Sequence, residues 1–339
     1  MSSGHDDGPP PAVVLMQMVQ GFMVAKTLQA AAVLGIADLL AVGPRSVADL
    51  AAATSTHEQS LGRLLRALAS RGIFSGDDAG RYDNTPLSEA LRSDVSGSVR
   101  DYVIYAPHNG NVLAWTELDH VLRTGEPSFV KANGVDLWGY FAEHPEIEVA
   151  FNRAMTALTV GIIELIVDTC DFSRFKSIID IGGGEGRLLA AILTANPGAT
   201  GTLFDLPGAA EVARRYLETE GLAERTEVVA GDMFASIPSG HDAYVLKNIL
   251  HDWSDEKSID ILRVCRQAMG PHSRLIILDA VMEPGNDPHP AKWFDLHMMV
   301  ALGGRERSED QFRTLLAASG FALRSAVALP IGVVEADPI

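Results

Sequence analysis

From Phe175 onward, short apolar β-rich runs alternate with longer segments that have the apolar spacing of helices. Strands that alternate with helices form βαβ units, which require a parallel sheet covered by helices. Ligands bind open sheets of this kind beyond the carboxyl ends of the strands. The second half of the chain is therefore predicted to be an α/β domain with a ligand site at that edge. The predicted strands are Ser177–Ile181, Gly201–Asp205, Glu227–Ala230, Ala243–Leu246 and Arg274–Asp279, with helices such as Arg187–Ala195 and Ala209–Glu220 between them.

A glycine-rich turn follows the first of these strands, in Ile178-Ile-Asp-Ile-Gly-Gly-Gly-Glu-Gly-Arg187. Glycines let the backbone approach a ligand closely at the start of a helix. A dinucleotide fingerprint requires a further glycine where this chain has Arg187, and Asp180 would repel a pyrophosphate. Asp180 together with Gly182, Gly184 and Gly186 instead predicts a ligand that carries an ammonium or sulfonium cation.

Two later strand ends supply groups for the rest of such a ligand. Asp205 ends the second strand, where a carboxylate accepts hydrogen bonds from both hydroxyls of a ribose, although it is also suited to cap the next helix. Gly231-Asp-Met-Phe234 follows the third strand, and an acid with an apolar pair suits an adenine ring. His251 lies between the fourth strand and a helix that Ser254 is expected to cap, so we expect it at the same edge.

Charge limits the function of the first half of the chain. The sequence has 27 basic and 44 acidic residues and a net charge of −17, which disfavours binding to nucleic acid or to an anionic membrane. Residues 46–82 have the pattern of a helix–turn–helix with a β-ribbon, a winged helix. Such a fold serves either DNA binding or dimerisation, and the acidic charge favours dimerisation.

The N-terminal segment is unusually apolar. Between Ala12 and Gly43 only Lys26 and Asp38 are charged. A helix that is apolar almost all round is buried, and we expect this one to be buried against a second subunit. We interpret the uncharged stretch from Gly8 to Ala25 as too short and too polar to span a membrane. The only cysteines, Cys170 and Cys265, indicate a reducing, cytoplasmic location.

The order of these motifs resembles the class I, caffeic-acid-type O-methyltransferase family in its bacterial small-molecule branch. Phe151-Asn-Arg-Ala-Met155, His251-Asp-Trp-Ser-Asp255 and Gly303-Gly-Arg-Glu-Arg-Ser308 carry the resemblance. It implies an α/β fold, a Rossmann-like, doubly wound methyltransferase domain of seven strands, with an N-terminal α-helical winged-helix dimerisation domain. It also implies S-adenosylmethionine as cofactor, a homodimer and no metal. The expected divisions are a flexible tail over 1–11, the dimerisation domain over 12–95, a helical linker to the substrate pocket over 96–170 and the methyltransferase domain over 171–339.

The resemblance also implies roles for individual residues. His251 is the implied general base, with Asp279 and Glu306 as the acids that orient it. The expected cofactor contacts are Asp180, Gly182, Gly184, Gly186, Asp205, Leu206, Asp232, Met233, Phe234 and Lys247. The residues expected around the acceptor are Phe151, Met155, Trp253, Met298 and Met299. Where the family often has Asn-Pro before the glycine pair, this chain has Leu302 alone, so an acceptor-recognising amide is absent.

The predicted reaction transfers the methyl group of S-adenosylmethionine to a hydroxyl of a small aromatic metabolite and leaves S-adenosylhomocysteine. A phenol has a pKa near 10, as tyrosine does, so a histidine base that removes its proton makes it a better nucleophile. Three alternatives stay open. The same fold and cofactor can serve hydroxylation, decarboxylation or N-methylation; the winged helix can serve a DNA-binding regulator; and His251, Asp252 and Asp255 can bind a metal that assists catechol methylation.

Overall fold

The computed structural model describes residues 9–328 and 332–339. Residues 1–8, which make up most of the expected N-terminal tail, lie outside the described residues. The first helix begins at Pro11. Proline suits this position because its φ is fixed near the helical value and its missing N–H has no partner in the first turn.

The chain divides into two compact units, each described here by itself. The residues 96–170, expected to form a helical linker, are divided between the two units. The first unit is the chain up to His108 together with Val149–Ala157, and the second is Asn109–Glu148 together with Leu158–Ile339.

The first unit combines short helices with a three-stranded antiparallel sheet of order β1-β3-β2. Its helices are α1 (Pro11–Val19), α2 (Gly21–Val33), α3 (Ile36–Leu39), α4 (Val47–Thr54), α5 (Glu58–Ala69), α6 (Pro86–Glu89) and α7 (Arg100–Tyr105), and its strands are β1 (Arg45–Ser46), β2 (Phe74–Gly76) and β3 (Arg81–Asn84). The expected helix–turn–helix with a ribbon is present. Leu61, Leu65 and Leu68 recur on one face of α5 and are buried in the core of this unit, against Leu50 and Phe74.

Helices α1 and α2 expose an apolar surface in the single chain. The large side chains concerned, each more than half exposed, are Leu15, Met16, Met18, Val19, Phe22, Met23 and Val33. The segment Pro11–Val33 is long and apolar enough to cross a membrane, so the expectation that it is too short to do so was wrong. Pro145–Thr169 passes the same test, which rests on length and composition only.

The second unit contains a seven-stranded mixed sheet of order β6-β5-β4-β7-β8-β10-β9. Its strands are β4 (Ser177–Ile181), β5 (Thr200–Asp205), β6 (Thr226–Ala230), β7 (Ala243–Lys247), β8 (Arg274–Leu278), β9 (Phe321–Val327) and β10 (Val333–Pro338). The remaining helices are α8 (Asn109–Thr116), α9 (Leu118–Thr124), α10 (Ser128–Asn133), α11 (Leu137–Glu143), α12 (Pro145–Thr169, whose residues 149–157 belong to the first unit), α13 (Arg187–Ala195), α14 (Pro207–Thr219), α15 (Asp255–Ala268), α16 (Pro290–Ala301) and α17 (Glu309–Ala318). All five predicted strands occur, and none of their ends differs from the prediction by more than one residue.

Helices cover both faces of this sheet because successive strand residues point to opposite sides. Ile178 packs in one core cluster with Leu189 of α13, whereas Ile179 packs in the other with Ile261 of α15 and Phe312 of α17. The sheet is therefore buried on both faces, as its nearly continuous apolar strands require.

The parallel strands β5, β4, β7 and β8 lie side by side and end at one edge of the sheet. The register pairs Ile181 with Phe204 on one side and with Leu246 on the other, and pairs Lys247 with Leu278. The strand order reverses at β4, where β5 lies on one side and β7 on the other. The residues that follow these strands therefore meet at the place where such sheets bind ligands.

Candidate active site

The glycine turn after β4 is shaped for close approach of the backbone to a ligand. Gly182, Gly184 and Gly186 have φ values of 69°, 58° and 82°, a region that favours glycine. A side chain at Gly182 would overlap Ile249, and a Cβ at Gly183 would lie 2.7 Å from Oδ2 of Asp180. The turn leads directly into α13, so the free N–H groups at the start of this helix face the same edge.

Asp205, the last residue of β5, holds this turn. Its Oδ2 accepts a hydrogen bond from the N–H of Gly184 at 2.8 Å, and its Oδ1 accepts one from the N–H of Leu206 at 2.6 Å. Burial raises the pKa of Asp205, while these two hydrogen bonds oppose that shift. Each carboxylate oxygen has a second lone pair, so the side chain can still accept hydrogen bonds from ligand hydroxyls.

Asp180 is a buried acid, and its Oδ2 has no hydrogen-bond partner among the residues described. Burial raises its pKa to about 7, and the charge of Asp205 adds to this while Lys247 opposes it. Lys247 ends β7, and burial lowers its pKa against the charges of Asp180, Asp279 and Asp252. A buried carboxyl oxygen without a partner suits a cationic ligand, because leaving it unpaired is unfavourable.

The residues expected at an adenine lie beyond β6, at the rim of the same edge. Asp232 is exposed, and its Oδ1 accepts a hydrogen bond from the N–H of Phe234 at 2.9 Å. The ring of Phe234 meets the ring of Trp253 edge-on at 4.9 Å between centroids. Met233 is half-buried, whereas Leu206 is 60% exposed and offers an apolar surface to solvent or ligand.

His251 lies in a short helical turn after β7, between two carboxylates. Its Nδ1 is 2.9 Å from Oε1 of Glu306, and its Nε2 is 3.4 Å from Oδ1 of Asp252. Burial alone lowers the pKa of His251, but the charge of Asp252, the hydrogen bond with Glu306 and the charge of Asp279 outweigh it and raise the pKa to about 9. The imidazole of His251 is therefore protonated near neutral pH.

The two acids expected to orient His251 differ in their geometry. Glu306 makes the expected hydrogen bond. Asp279 does not: it is 1% exposed, and neither of its oxygens has a hydrogen-bond partner among the described residues. Burial raises the pKa of Asp279, and its influence on His251 is purely electrostatic. It lies one residue beyond the end of β8, which places its side chain near the base without direct contact.

Sequence reasoning assigned no catalytic role to Asp252, although the structure places it against Nε2 of His251. Burial raises its pKa to about 6, and His251 opposes that shift. The sequence contained one signal for this contact. Asp252 directly follows His251 in a turn of three residues, Leu250–Asp252, so its side chain has little room to point away from the imidazole.

Arg307 was also missed, and it fixes the loop that carries His251. This fully buried guanidinium donates hydrogen bonds to the carbonyl oxygens of Leu250 at 2.7 Å and Trp253 at 3.0 Å. It also donates to Oδ1 of Asp255 at 2.9 Å. Since Arg307 follows Glu306 in the chain, one segment contacts both the imidazole and the backbone around it.

Gly304 brings that segment onto the loop. A Cβ at this position would overlap the carbonyl oxygen of His251, so only glycine fits. The next residue, Arg305, donates its backbone N–H to the same carbonyl oxygen at 2.9 Å. Ser308 follows immediately and caps α17 in a reciprocal hydrogen-bonded box with Gln311.

Apolar and aromatic side chains also lie near His251. The ring centroid of Phe294, on α16, is 5.7 Å from that of His251. Met298 is buried and Met299 half-buried on the same helix. A cavity of about 90 Å³ in this unit is lined by Asp252, Trp253, Ala301, Leu302, Leu137 and Trp138, among others.

Phe151 and Met155 lie on α12 within the first unit. Both are half-buried, and the ring of Phe151 meets that of Tyr105 edge-on at 5.2 Å. Their expected place beside the acceptor stays a prediction. In the part of the chain described, no group of three or more His, Cys, Asp or Glu side chains has a metal-binding arrangement.

Comparisons with known proteins agree with this geometry. A family model described as an O-methyltransferase domain matches residues 115–322, and one described as an O-methyltransferase dimerisation domain matches residues 16–94. Together they span most of the chain. The chain belongs to this O-methyltransferase family.

Relatives of similar length support the assignment. Phenazine O-methyltransferase PhzM of Lysobacter antibioticus is 43% identical over 97% of both chains. The solved structure of the mitomycin 7-O-methyltransferase MmcR is 38% identical, covers 97% of this chain and 98% of its own, and has a TM-score of 0.90. The O-methyltransferase NcsB1 from neocarzinostatin biosynthesis, solved with S-adenosylmethionine and 2-hydroxy-5-methyl naphthoic acid, is 34% identical over 93% of this chain and 96% of its own, with a TM-score of 0.81.

The chain is thus an S-adenosylmethionine-dependent O-methyltransferase. The unpartnered Asp180 and the glycine turn fit that cofactor, which carries both an ammonium and a sulfonium group. The winged-helix segment matches a dimerisation domain, so the match favours dimerisation over DNA binding for this part of the chain.

Proposed function

We propose that this enzyme methylates a hydroxyl of a small aromatic metabolite and that His251 is the general base. The observation that carries the proposal is the position of His251. Its Nδ1 is held by Glu306, its Nε2 is 3.4 Å from Oδ1 of Asp252, and its ring lies next to that of Phe294. A histidine held through one nitrogen keeps the other to accept a proton.

The cofactor contacts follow from the groups at the strand ends. Asp180 and the turn from Gly182 to Gly186 would hold the methionine portion, Asp205 the ribose hydroxyls, and Asp232 with Met233 and Phe234 the adenine. When bound, S-adenosylmethionine supplies an activated methyl group on a sulfonium. The protein then has to align the acceptor oxygen with that methyl, which is a task of proximity and orientation.

The acids around His251 orient its imidazole and stabilise the proton that it takes from the acceptor. In the reactive tautomer the Nδ1–H donates to Glu306, and Nε2 takes the proton of the acceptor hydroxyl as the oxygen attacks. The imidazolium that forms is stabilised by Glu306, Asp252 and Asp279, the same charges that raise the pKa of His251. The apolar surface of Phe294, Met298, Met299 and Trp253 suits a flat ring, with Phe151 and Met155 as further candidates.

The test is transfer of a labelled methyl group to a panel of 1-hydroxyphenazine, 1,4-dihydroxy-2-naphthoic acid and a hydroxyquinone. His251→Ala is expected to reduce kcat by roughly 10²-fold or more on the acceptors that the wild type methylates. Its dissociation constant for S-adenosylhomocysteine, measured by calorimetry, should stay unchanged because His251 is not a cofactor contact. His272→Ala, at an exposed histidine on the loop before β8, is the matched control.

Two outcomes count against the proposal. Full methylation by His251→Ala, with normal cofactor binding, removes the base assignment. Consumption of an acceptor without a methylated product, but with release of CO₂ or incorporation of oxygen, would instead indicate a diverted activity on the same fold.

The assembly is part of the proposal. We infer that two chains associate through the first unit, because the match to a dimerisation domain covers the apolar surface of α1 and α2. A homodimer would bury that surface, as the sequence led us to expect.

A further inference from the structure

One face of helix α16 lies against the loop that contains His251. Phe294, His297 and Ala301 recur at helical spacing and therefore share that face. Phe294 at one end contacts the ring of His251, and Ala301 at the other end lines a cavity together with Asp252 and Trp253. His297 thus lies between two residues that both reach the catalytic loop.

His297 is surrounded by rings. Its imidazole lies parallel to the indole of Trp115 on α8, with 9° between the planes and 6.3 Å between centroids. The centroid of the Phe294 ring is 6.0 Å from that of His297. The hydrogen bonds of the described residues include no partner for either ring nitrogen of His297.

The imidazole of His297 is neutral. Burial, with a smaller contribution from the positive charge of His251, lowers the pKa of His297 to about 4. A neutral imidazole has one N–H donor and one nitrogen acceptor. The side chain of His297 is half-buried, so a substrate atom that takes the place of water beside the ring can accept a hydrogen bond from its N–H.

We infer that His297 determines specificity by donating its N–H to a neutral hydrogen-bond acceptor atom on the aromatic substrate, a carbonyl oxygen or a ring nitrogen. This inference rests on the proposed function, in which the hydroxyl of the same substrate meets His251. The substrate class is then a hydroxylated quinone or nitrogen heteroaromatic rather than a simple phenol. A carboxylate suits the site less, because Asp252, Asp279 and Glu306 already place negative charge around the neighbouring base.

Three probes with one tricyclic frame isolate this contact: 1-hydroxyphenazine, 1-hydroxyanthraquinone and 1-hydroxyanthracene. They place a nitrogen, a carbonyl or a plain C–H at the two central-ring positions. Dissociation constants are measured with S-adenosylhomocysteine present, so that binding is separated from turnover. We expect wild-type enzyme to bind the first two about tenfold more tightly than 1-hydroxyanthracene, which is the effect of about one hydrogen bond.

The variant His297→Phe keeps a flat ring against Trp115 and removes the N–H. It should abolish the preference by weakening the first two probes about tenfold while leaving the affinity for 1-hydroxyanthracene unchanged. His297→Gln keeps an N–H donor and should retain part of the preference. This variant tests the same contact if His297→Phe folds poorly. His272→Phe, at the exposed histidine, should behave as wild type.

The outcomes separate this inference from the proposed function. Equal wild-type affinities for the three probes, failure of all three to bind, or a preference that survives in His297→Phe would overturn the role of His297. Methyl transfer without the preference leaves the proposed function standing. The preference without any methyl transfer supports the contact and counts against the proposed function for these acceptors.

Discussion

At the scale of single residues, the charge on His251 decides when it can act as a base. Its pKa is raised to about 9 because Asp252, Glu306 and Asp279 outweigh the effect of burial. A base must be neutral to accept a proton, so activity should rise with pH and level off only above that value. A bound sulfonium cation disfavours the imidazolium, so the complex should reach its plateau at lower pH than the free enzyme.

The measurement is a pair of pH–rate profiles, because kcat/KM for the cofactor reports the free enzyme and kcat reports the complex. Glu306→Gln removes a negative charge and should shift both midpoints to lower pH while reducing kcat. His251→Ala is the control that shows ionisation of the phenol alone. A midpoint that rises in Glu306→Gln would contradict this account.

Arg307 gives a second prediction at this scale. Lysine keeps the charge but has a single ammonium group, which cannot bind both the Leu250 and Trp253 carbonyl oxygens and Asp255 in the present geometry. We expect Arg307→Lys to lower kcat about 10-fold to 100-fold through displacement of His251, with little change in cofactor affinity. Buried carbonyl groups left unpaired should also destabilise the fold by about 1–3 kcal/mol.

Arg305→Lys is the matched control, since the side chain of Arg305 is 43% exposed and meets Asp255 at 3.4 Å. It should keep wild-type kcat and melting temperature. If Arg307→Lys also keeps full kcat, Arg307 has only a structural role.

At the scale of elements, the segment from Gly303 to Ser308 positions the base by lying flat on the loop after β7. Gly304→Ala places a methyl group on the carbonyl oxygen of His251. We expect the loop to shift, kcat to fall about 10²-fold and thermal stability to decrease. Gly198→Ala, where a Cβ meets nothing within 4 Å, should leave both unchanged. Activity assays and thermal melts of the two variants check this, and equal behaviour would show that the contact has no consequence.

The same elements show what sequence can reveal. The strands, α13 and the caps at Ser254 and Ser308 were predictable because apolar period and capping are properties of neighbouring residues. The glycine turn and the acids at the strand ends followed from parallel topology. The contacts of Arg307 and the unpaired state of Asp279 depend on how distant segments pack. No local pattern encodes such packing, so these features emerged only in the structure.

At the scale of the whole molecule, a single chain leaves the apolar surface of α1 and α2 exposed to water. Isolated exposed apolar residues are ordinary, but a contiguous patch marks a contact surface. We expect light scattering coupled to gel filtration to give twice the mass of one chain. Phe22→Glu puts a charge in the middle of the patch, at a side chain that is 62% exposed in the monomer, and should yield monomers.

Val212→Glu is the matched control, because Val212 is also exposed but lies on α14 in the second unit. It should remain dimeric. Burial of a charge without a partner opposes association. In sedimentation experiments, Phe22→Glu should therefore have half the wild-type mass at every concentration at which the wild type is dimeric. A wild-type monomer, or a Phe22→Glu dimer as tight as wild type, would show that this apolar surface faces something other than a second copy, and a liposome flotation assay would then distinguish a membrane from a foreign protein.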